Sequence, residues 1–521
     1  MIRRIWMRAL CGGSAAALVA LASPAAAAEC GDLARLSLPD GKVTAASVVA
    51  AGAFQQPGPA GAPPGIGAGR FGELPAFCRV QLTLTPSADS DIKSEVWLPA
   101  SGWNGKYVGI GNGVWAGSIS YGEIASALAR GYAVAATDTG HTGNGMTGDF
   151  AVGHPEKLVD FGYRAVHETT VAAKRVIEAF YGNGPKLSFW NSCSTGGRQG
   201  LMAAYRYPAD FDAISAMAPA NPMTDLMTQS MWAGGQPQRA PGASLTPAQM
   251  NAVHRAAVAQ CDKDDGLEDG LIAMPGQCRF DPGTVPGLTA EQAETVRAIY
   301  RGPPNLPGWP VGSETQLGML VQGQTPFPVA YTYFSMLVFG DRPQWDWKTF
   351  DYVRDAQAGR AYGANILDVP SNGLGAFFAR GGKLLLSHGW TDGLIPANNT
   401  LRFYDGLRPS LSDAQADNQL RLYMVPGMDH CSGGDGASQF DTLGTIDEWA
   451  STGKAPDRLI ATRPAAMGGP PGAPAAAPRE PMTRPLCPYP LYARYKGAGD
   501  PNDPASFQCT RLPAMSSPSR S

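Results

Sequence analysis

Residues 186–197 read Lys-Leu-Ser-Phe-Trp-Asn-Ser-Cys-Ser-Thr-Gly-Gly, and a helical pattern follows them to Tyr207. Lys186 to Asn191 is a short, largely apolar run that predicts a strand, and the small residues from Ser192 to Gly197 predict a sharp turn. A serine held between a strand and a helix by small neighbours has the form of a nucleophile elbow, which leaves Ser194 exposed at a helix N-terminus. There the backbone N–H of Thr195 is placed to stabilise an oxyanion, helped by the helix dipole. The generic Gly-x-Ser-x-Gly pattern has Ser192 in place of its first glycine.

Working outward, short apolar runs alternate with helical patterns. Val80 to Leu84, Ser94 to Leu98, Lys106 to Ile110 and Tyr132 to Ala136 read as strands. A helix is predicted over Phe161 to Tyr181, and a further strand over Ala213 to Ala218. Strands interleaved with helices imply a mainly parallel sheet flanked by helices, an α/β class fold of the α/β-hydrolase type. The rhythm stops near Ala220. It returns at Gly382 to His388, continues in a helix from Ala397 to Leu407, and ends in a strand from Leu420 to Val425. The expected organisation is therefore a catalytic domain formed by residues 29–221 and 376–521, interrupted by an inserted lid domain over 222–375. Gln56 to Gly69 and the Pro/Ala/Gly stretch Ala465 to Arg479 read as loops.

Activating a serine hydroxyl requires a base, and the base requires an orienting carboxylate. In this fold the chain order is Ser, acid, His, each on a loop after a strand. Asp392 lies in the loop after the strand ending at His388, and His430 lies in the loop after Val425. Because the chain has only 6 histidines, one in such a loop is informative. His388 and Asp429 are the rival candidates. His388 comes early in its loop, where it is expected to support Asp392, and Asp429 adjoins the histidine and is expected to point elsewhere. Gly113, in the glycine-rich segment after the strand Lys106 to Ile110, is the candidate second oxyanion donor.

Two further features add to this. Cys193 precedes the candidate nucleophile and Cys431 follows the candidate base, so a disulfide between them would tie the two loops together. In the chain-entropy model closing so long a loop is worth ~5 kcal/mol. Separately, Asp262 to Ile272 is a dense acidic turn with glycines at its bends. Asp262, Asp265 and Asp269 offer carboxylates and Leu267 and Leu271 offer carbonyls, the hard oxygen donors that Ca2+ takes. Lying within the insertion, such an ion is expected to be structural. Cys261 and Cys278 flank the turn.

The net charge of −3 on 521 residues gives no electrostatic reason to expect nucleic acid as a partner. The first 28 residues have a basic start, an apolar zone and a small-residue zone, the pattern of a secretory signal peptide cut near Ala28. No later apolar stretch is long enough for a membrane anchor, so an exported protein, periplasmic or secreted, is expected. Of 9 cysteines, Cys11 falls in the signal segment; an even set remains, as a disulfide framework in an exported protein requires.

Cys193-Ser194, Asp392 and His430-Cys431 together resemble the CS-D-HC motif of the tannase/feruloyl esterase family, which also includes the mono(hydroxyethyl) terephthalate hydrolase. The resemblance extends along most of the mature chain. It takes in Gly111-Asn-Gly113-Val-Trp-Ala-Gly, Ala136-Thr-Asp-Thr-Gly-His141, the acidic turn after Cys261, Trp345-Asp-Trp347 and Arg484-Pro-Leu-Cys487-Pro-Tyr-Pro. It implies an α/β-hydrolase core with a calcium-bearing lid and a Cys193–Cys431 disulfide. It also implies the pairs Cys261–Cys278, Cys30–Cys78 and Cys487–Cys509. Two positions depart from the pattern: Val114 stands where the family often has another glycine, and Ser192 replaces a common glycine before the cysteine. The function expected from residues and resemblance together is serine-dependent hydrolysis of a small ester of an aromatic acid, such as a hydroxycinnamate or gallate. No organic cofactor is expected. Aromatics of the insertion, including Trp309, Tyr331, Tyr333, Phe334 and Trp345, are candidates either for an acyl-binding wall or for lid core. The competing functions are a serine peptidase on the same fold and a catalytically silent calcium-dependent binding protein; a complete triad argues against the latter.

Overall fold

The computed structural model describes residues 29–58, 71–342, 344–465 and 480–511. The expected signal peptide, most of the loop at 56–69 and nearly all of 465–479 lie outside the described residues. One 10-stranded sheet organises the chain. Its strands are β1 (Ser37–Leu38), β2 (Gly41–Val49), β3 (Phe77–Leu84), β4 (Ile92–Pro99), β5 (Lys106–Ile110), β6 (Ala133–Thr137), β7 (Leu187–Cys193), β8 (Ala213–Met217), β9 (Lys383–Gly389) and β10 (Leu420–Val425). They lie in the order β1-β2-β3-β4-β6-β5-β7-β8-β9-β10. From β6 across to β10 every neighbouring pair is parallel, while β1 to β4 form an antiparallel edge joined to β6.

The central strands are apolar on both faces because both faces are covered. On one side, Val176 and Ile177 of the helix Ala165–Tyr181 and Leu201 of the helix Thr195–Arg206 pack on Tyr107, Trp190 and Leu384. On the other, Ile124 and Leu128 of the helix Tyr121–Leu128 and Ile446 and Trp449 of the helix Thr442–Thr452 pack on Val108, Phe189 and Leu385. The result is a three-layer α/β-hydrolase core.

Residues 222–375 contribute helices and, among the described residues, no strand to this sheet. Their apolar centre gathers Met227, Met231, Val296, Trp309, Tyr333 and Phe334 together with Trp115 and Phe161 from the sheet side. The insertion therefore packs continuously onto loops of the core. The Trp115 indole N–H donates to Val329 O at 3.1 Å. Arg198, fully buried in the helix after the elbow, donates to the carbonyls of Gly162 at 3.0 Å and Leu367 at 3.3 Å.

The strand β2 had no signal in the sequence. Its side chains are exposed or half-buried along its length, and a bulge at Val43/Ala45 breaks its register with β3, so an alternating apolar pattern never develops. Two C-terminal hairpins were also unanticipated: Leu459–Arg463 with Met482–Leu486, and Leu491–Tyr495 with Phe507–Arg511.

Candidate active site

The candidate groups all sit where parallel strands end: Gly113 after β5, Ser194 after β7, Asp392 after β9 and His430 after β10. This is the edge at which open α/β sheets present ligands. The strand β7 runs directly into the elbow, and Ser194 alone makes the corner, with φ 63° and ψ −126°. A side chain in that region costs of order 1–3 kcal/mol, so neighbouring bonds must hold it. Ser194 N donates to Met217 O at 2.9 Å, and Ser194 O accepts from Arg198 N and Ala220 N, both at 3.1 Å. Gly196 is needed here for space. A Cβ on it would lie 2.1 Å from Ser192 Oγ, and one on Gly111 would lie 2.5 Å from the Gly196 Cα.

Asp392 is fully buried and fully engaged. Its Oδ2 is 2.7 Å from His430 Nδ1 and 3.0 Å from His388 Nε2, and its Oδ1 accepts the N–H groups of Leu394 and Ile395, both at 2.9 Å. Burial opposes its charge, but His430 and these hydrogen bonds outweigh burial and hold the carboxyl far below the usual carboxylate range. His388 lies between this carboxylate and the Thr400 hydroxyl, 2.7 Å from its Nδ1, and is wholly buried. It buttresses Asp392, as its early place in the loop implied. Asp429 turns away and accepts from the Thr391 hydroxyl at 2.9 Å. With Nδ1 committed to Asp392, His430 has Nε2 for the cavity it lines. Burial works against its protonation, yet the Asp392 charge and hydrogen bond prevail and raise it above the ordinary histidine value.

The bond between Cys193 and Cys431 closes a separation of 238 residues and joins the elbow to the histidine loop. Cys30–Cys78, Cys261–Cys278 and Cys487–Cys509 are also formed. Each expected pairing is present, and four disulfides are consistent with an oxidising compartment. Among the described residues, no helix is long and apolar enough to cross a membrane.

The loop after β5 is locked to the elbow helix by hydrogen bonds that sequence reading did not anticipate. Asn112 N donates to Gln199 Oε1 at 3.1 Å, Gln199 Nε2 donates to Asn112 Oδ1 at 3.0 Å, and Gly196 N donates to Asn112 O at 2.8 Å. The Thr195 hydroxyl donates to Val114 O at 2.7 Å. The available signal was the spacing of Thr195 and Gln199, one helical turn apart on the face toward this loop. Among the described residues, neither Gly113 N–H nor Thr195 N–H takes part in a loop or side-chain hydrogen bond. Val114 adopts φ 44°, a conformation that suits glycine.

A cavity of about 340 Å³ opens beside these groups. Ser194, Thr195, Gly113 and His430 lie on its floor, and Met223, Leu226, Met227, Phe327, Val329 and Leu394 form an apolar wall. Trp309, Tyr333 and Phe334 do not line it. They are buried in the apolar cluster of residues 222–375, with Trp345 packed against them, so these aromatics are core. The wall is mainly aliphatic and methionine side chains, with Phe327 its one aromatic residue among those lining the cavity.

The acidic turn is a separate region. Asp262 Oδ1 accepts from the N–H groups of Asp269 at 3.1 Å and Leu271 at 3.2 Å, and its Oδ2 accepts from Gly270 at 2.9 Å. Asp265 accepts from Leu267 N at 3.0 Å. Burial, with Asp269 and Asp262 nearby, pushes the Asp265 carboxyl up to about 7, against the pull of that hydrogen bond. Asp269 Oδ2 pairs with Arg484 at 2.7 Å, whereas its buried Oδ1 has no hydrogen-bond partner. Among the described residues, no three or more His, Cys, Asp or Glu side chains stand together as a metal centre.

A parallel sheet with a serine elbow after one strand and an acid–histidine pair after two later ones defines an α/β hydrolase. Comparison with known proteins narrows the class. The sequence profile of tannase and feruloyl esterase matches residues 78–510. An uncharacterized esterase of Xanthomonas campestris pv. campestris is 34% identical, over 98% of this chain and 96% of its own. A probable feruloyl esterase B-1 of Aspergillus flavus is 32% identical, over 83% of this chain and 86% of its own. Among solved structures, feruloyl esterase B from Aspergillus oryzae superposes with a TM-score of 0.80 at 28% identity, covering 92% of this chain and 99% of that one. The tannin acyl hydrolase from Aspergillus niger shares the fold, with a TM-score of 0.73 at 19% identity over 92% of this chain and 95% of its own. The chain belongs to the tannase and feruloyl esterase family, and it is a carboxylic ester hydrolase.

Proposed function

We propose that this esterase cleaves esters of aromatic hydroxy acids, hydroxycinnamic, gallic or related, through a serine-bound acyl intermediate. The observation that carries the reading is the Asp392–His430 pair at 2.7 Å beside a cavity that also holds the strained Ser194 elbow. His430 Nε2 takes the Ser194 hydroxyl proton as Oγ attacks the ester carbonyl, and Asp392 steadies the imidazolium that results. The N–H groups of Thr195 and Gly113 take the developing oxyanion. As the intermediate collapses the ester C–O bond breaks, and His430 returns the proton to the departing alcohol. A water, deprotonated by His430, then releases the acid and restores Ser194. The apolar wall of Met223, Met227, Phe327 and Val329 suits a flat aromatic acyl group. The names of the fungal relatives favour the same class of acid.

The reading includes a structural Ca2+ at the turn Asp262 to Leu271, with Asp262, Asp265 and Asp269 and the carbonyls of Leu267 and Leu271 as donors. The unpartnered buried Oδ1 of Asp269 supports it. It also includes export by the N-terminal segment, in keeping with the four disulfides.

The test is turnover of methyl ferulate, methyl gallate, mono(hydroxyethyl) terephthalate and p-nitrophenyl acetate by wild type and Ser194→Ala. Serine-dependent turnover of an aromatic ester is expected. Cleavage of p-nitrophenyl acetate alone would contradict the aromatic acyl pocket, and full activity in Ser194→Ala would contradict the mechanism.

A further inference from the structure

The cavity has a second, polar side that hydrolysis itself does not use. Glu123 lines it, in the first turn of the helix Tyr121–Leu128, and so does Ser120. The Ser120 hydroxyl donates to Gly111 O at 3.1 Å, which anchors this helix to the loop carrying Gly113. The Glu123 side chain is exposed to solvent, on the cavity that also holds the nucleophile. Among the described residues no Lys, Arg or His forms an ion pair with it. Apart from His430 it is the one ionisable acid or base among the residues lining the cavity. An exposed carboxylate with spare lone pairs, lining the same cavity as the reacting serine and the apolar residues, is a recognition group for hydrogen-bond donors. A carboxylate with this placement also repels a second negative charge in the same enclosure.

We propose that Glu123 sets specificity for the alcohol portion of the ester: it accepts hydrogen bonds from the hydroxyls of a neutral polyol, such as a sugar, and discriminates against an alcohol that carries its own carboxylate. This rests on the aromatic ester reading in one respect, that the apolar wall takes the acid and so leaves the polar side to the alcohol.

The experiment compares three esters of one acid, the methyl, monosaccharide and quinate esters of ferulate, at about pH 8 with wild type, Glu123→Gln and Glu123→Ala. In Glu123→Ala, kcat/KM for the sugar ester is expected to fall about tenfold or more, mainly through KM, with the methyl ester within about threefold. In Glu123→Gln, kcat/KM for the quinate ester is expected to rise about tenfold while that for the sugar ester falls. Parallel changes for all three esters would overturn the proposal, because a merely structural role cannot move neutral and anionic alcohols in opposite directions. No change in either variant would overturn it equally. If wild type cleaves none of the three ferulates but still cleaves p-nitrophenyl acetate, the acyl assignment fails. The same three alcohols are then compared as acetates, and the same opposition of signs decides the role of Glu123.

Discussion

Two buried carboxylate sites in this molecule are held in opposite ways. Around Asp392, His430, His388 and the N–H groups of Leu394 and Ile395 converge, so the charge is favoured although the group is fully buried. Around Asp265, two further carboxylates lie close by, Arg484 is committed to Asp269, one oxygen of Asp269 has no partner, and Asp265 is pushed up to about 7. Burial is common to both; the difference is the sign and number of partners. The protein alone completes the first site. On the calcium reading proposed above, a cation would supply the positive charge that the second lacks.

The largest effect should come from removing the charge at the finished site. Asp392→Asn keeps the shape but leaves His430 without its ionic partner, and kcat is expected to drop about 10,000-fold with KM little changed. A loss below about tenfold would mean that Asp392 is not the orienting acid. Next in size is the covalent tie. Replacing Cys193 and Cys431 together by alanine is expected to cost about 2–5 kcal/mol of stability, measured by denaturant unfolding, and to lower kcat by loosening Ser194 against His430. Unchanged kcat would show that the hydrogen bonds at Ser194 and Asp392 suffice to hold the two loops in register. At the unfinished site, chelation should lower stability by about 3 kcal/mol at a Ca2+ level near 100 times Kd, seen as a fall in Tm of a few degrees. Asp269→Asn should abolish that response, and a Tm indifferent to chelation in wild type would remove the ion from the account.

The smallest effect is a shift along the pH axis. Protonated His430 cannot act as a base, and Asp392 raises its pKa, so kcat/KM should fall on the acid side with a midpoint above about 6.5. The same interaction favours the protonated form in the folded state. Its contribution to stability is therefore full at low pH and is lost as pH rises through the raised pKa. In Asp392→Asn the acid limb should move to lower pH. A limb that stays in place would assign it to another group.

The central parallel sheet, the elbow and the acid and histidine loops were legible because each rests on a local pattern: short apolar runs, a turn of small residues, and a scarce residue type at a strand end. The sequence order even separated His388 from His430. What escaped has a common physical reason. The edge strand Gly41–Val49 is solvated and bulged, so it carries no alternation. The Asn112–Gln199 lock joins residues distant in sequence, and only the packing of β5 beside β7 brings them together. Which side chains of residues 222–375 turn toward the cavity was not legible. Trp309 and Tyr333 are core, while Met223 and Phe327 face the cavity, because helix packing rather than residue type decides that orientation.

The most direct test is to label the oxidised protein with a fluorophosphonate and locate the adduct by peptide mass spectrometry, in parallel with ester turnover. The account predicts a single adduct on Ser194, loss of turnover in proportion to labelling, and neither adduct nor turnover in Ser194→Ala. An adduct on another serine, or turnover that persists in Ser194→Ala, would contradict it.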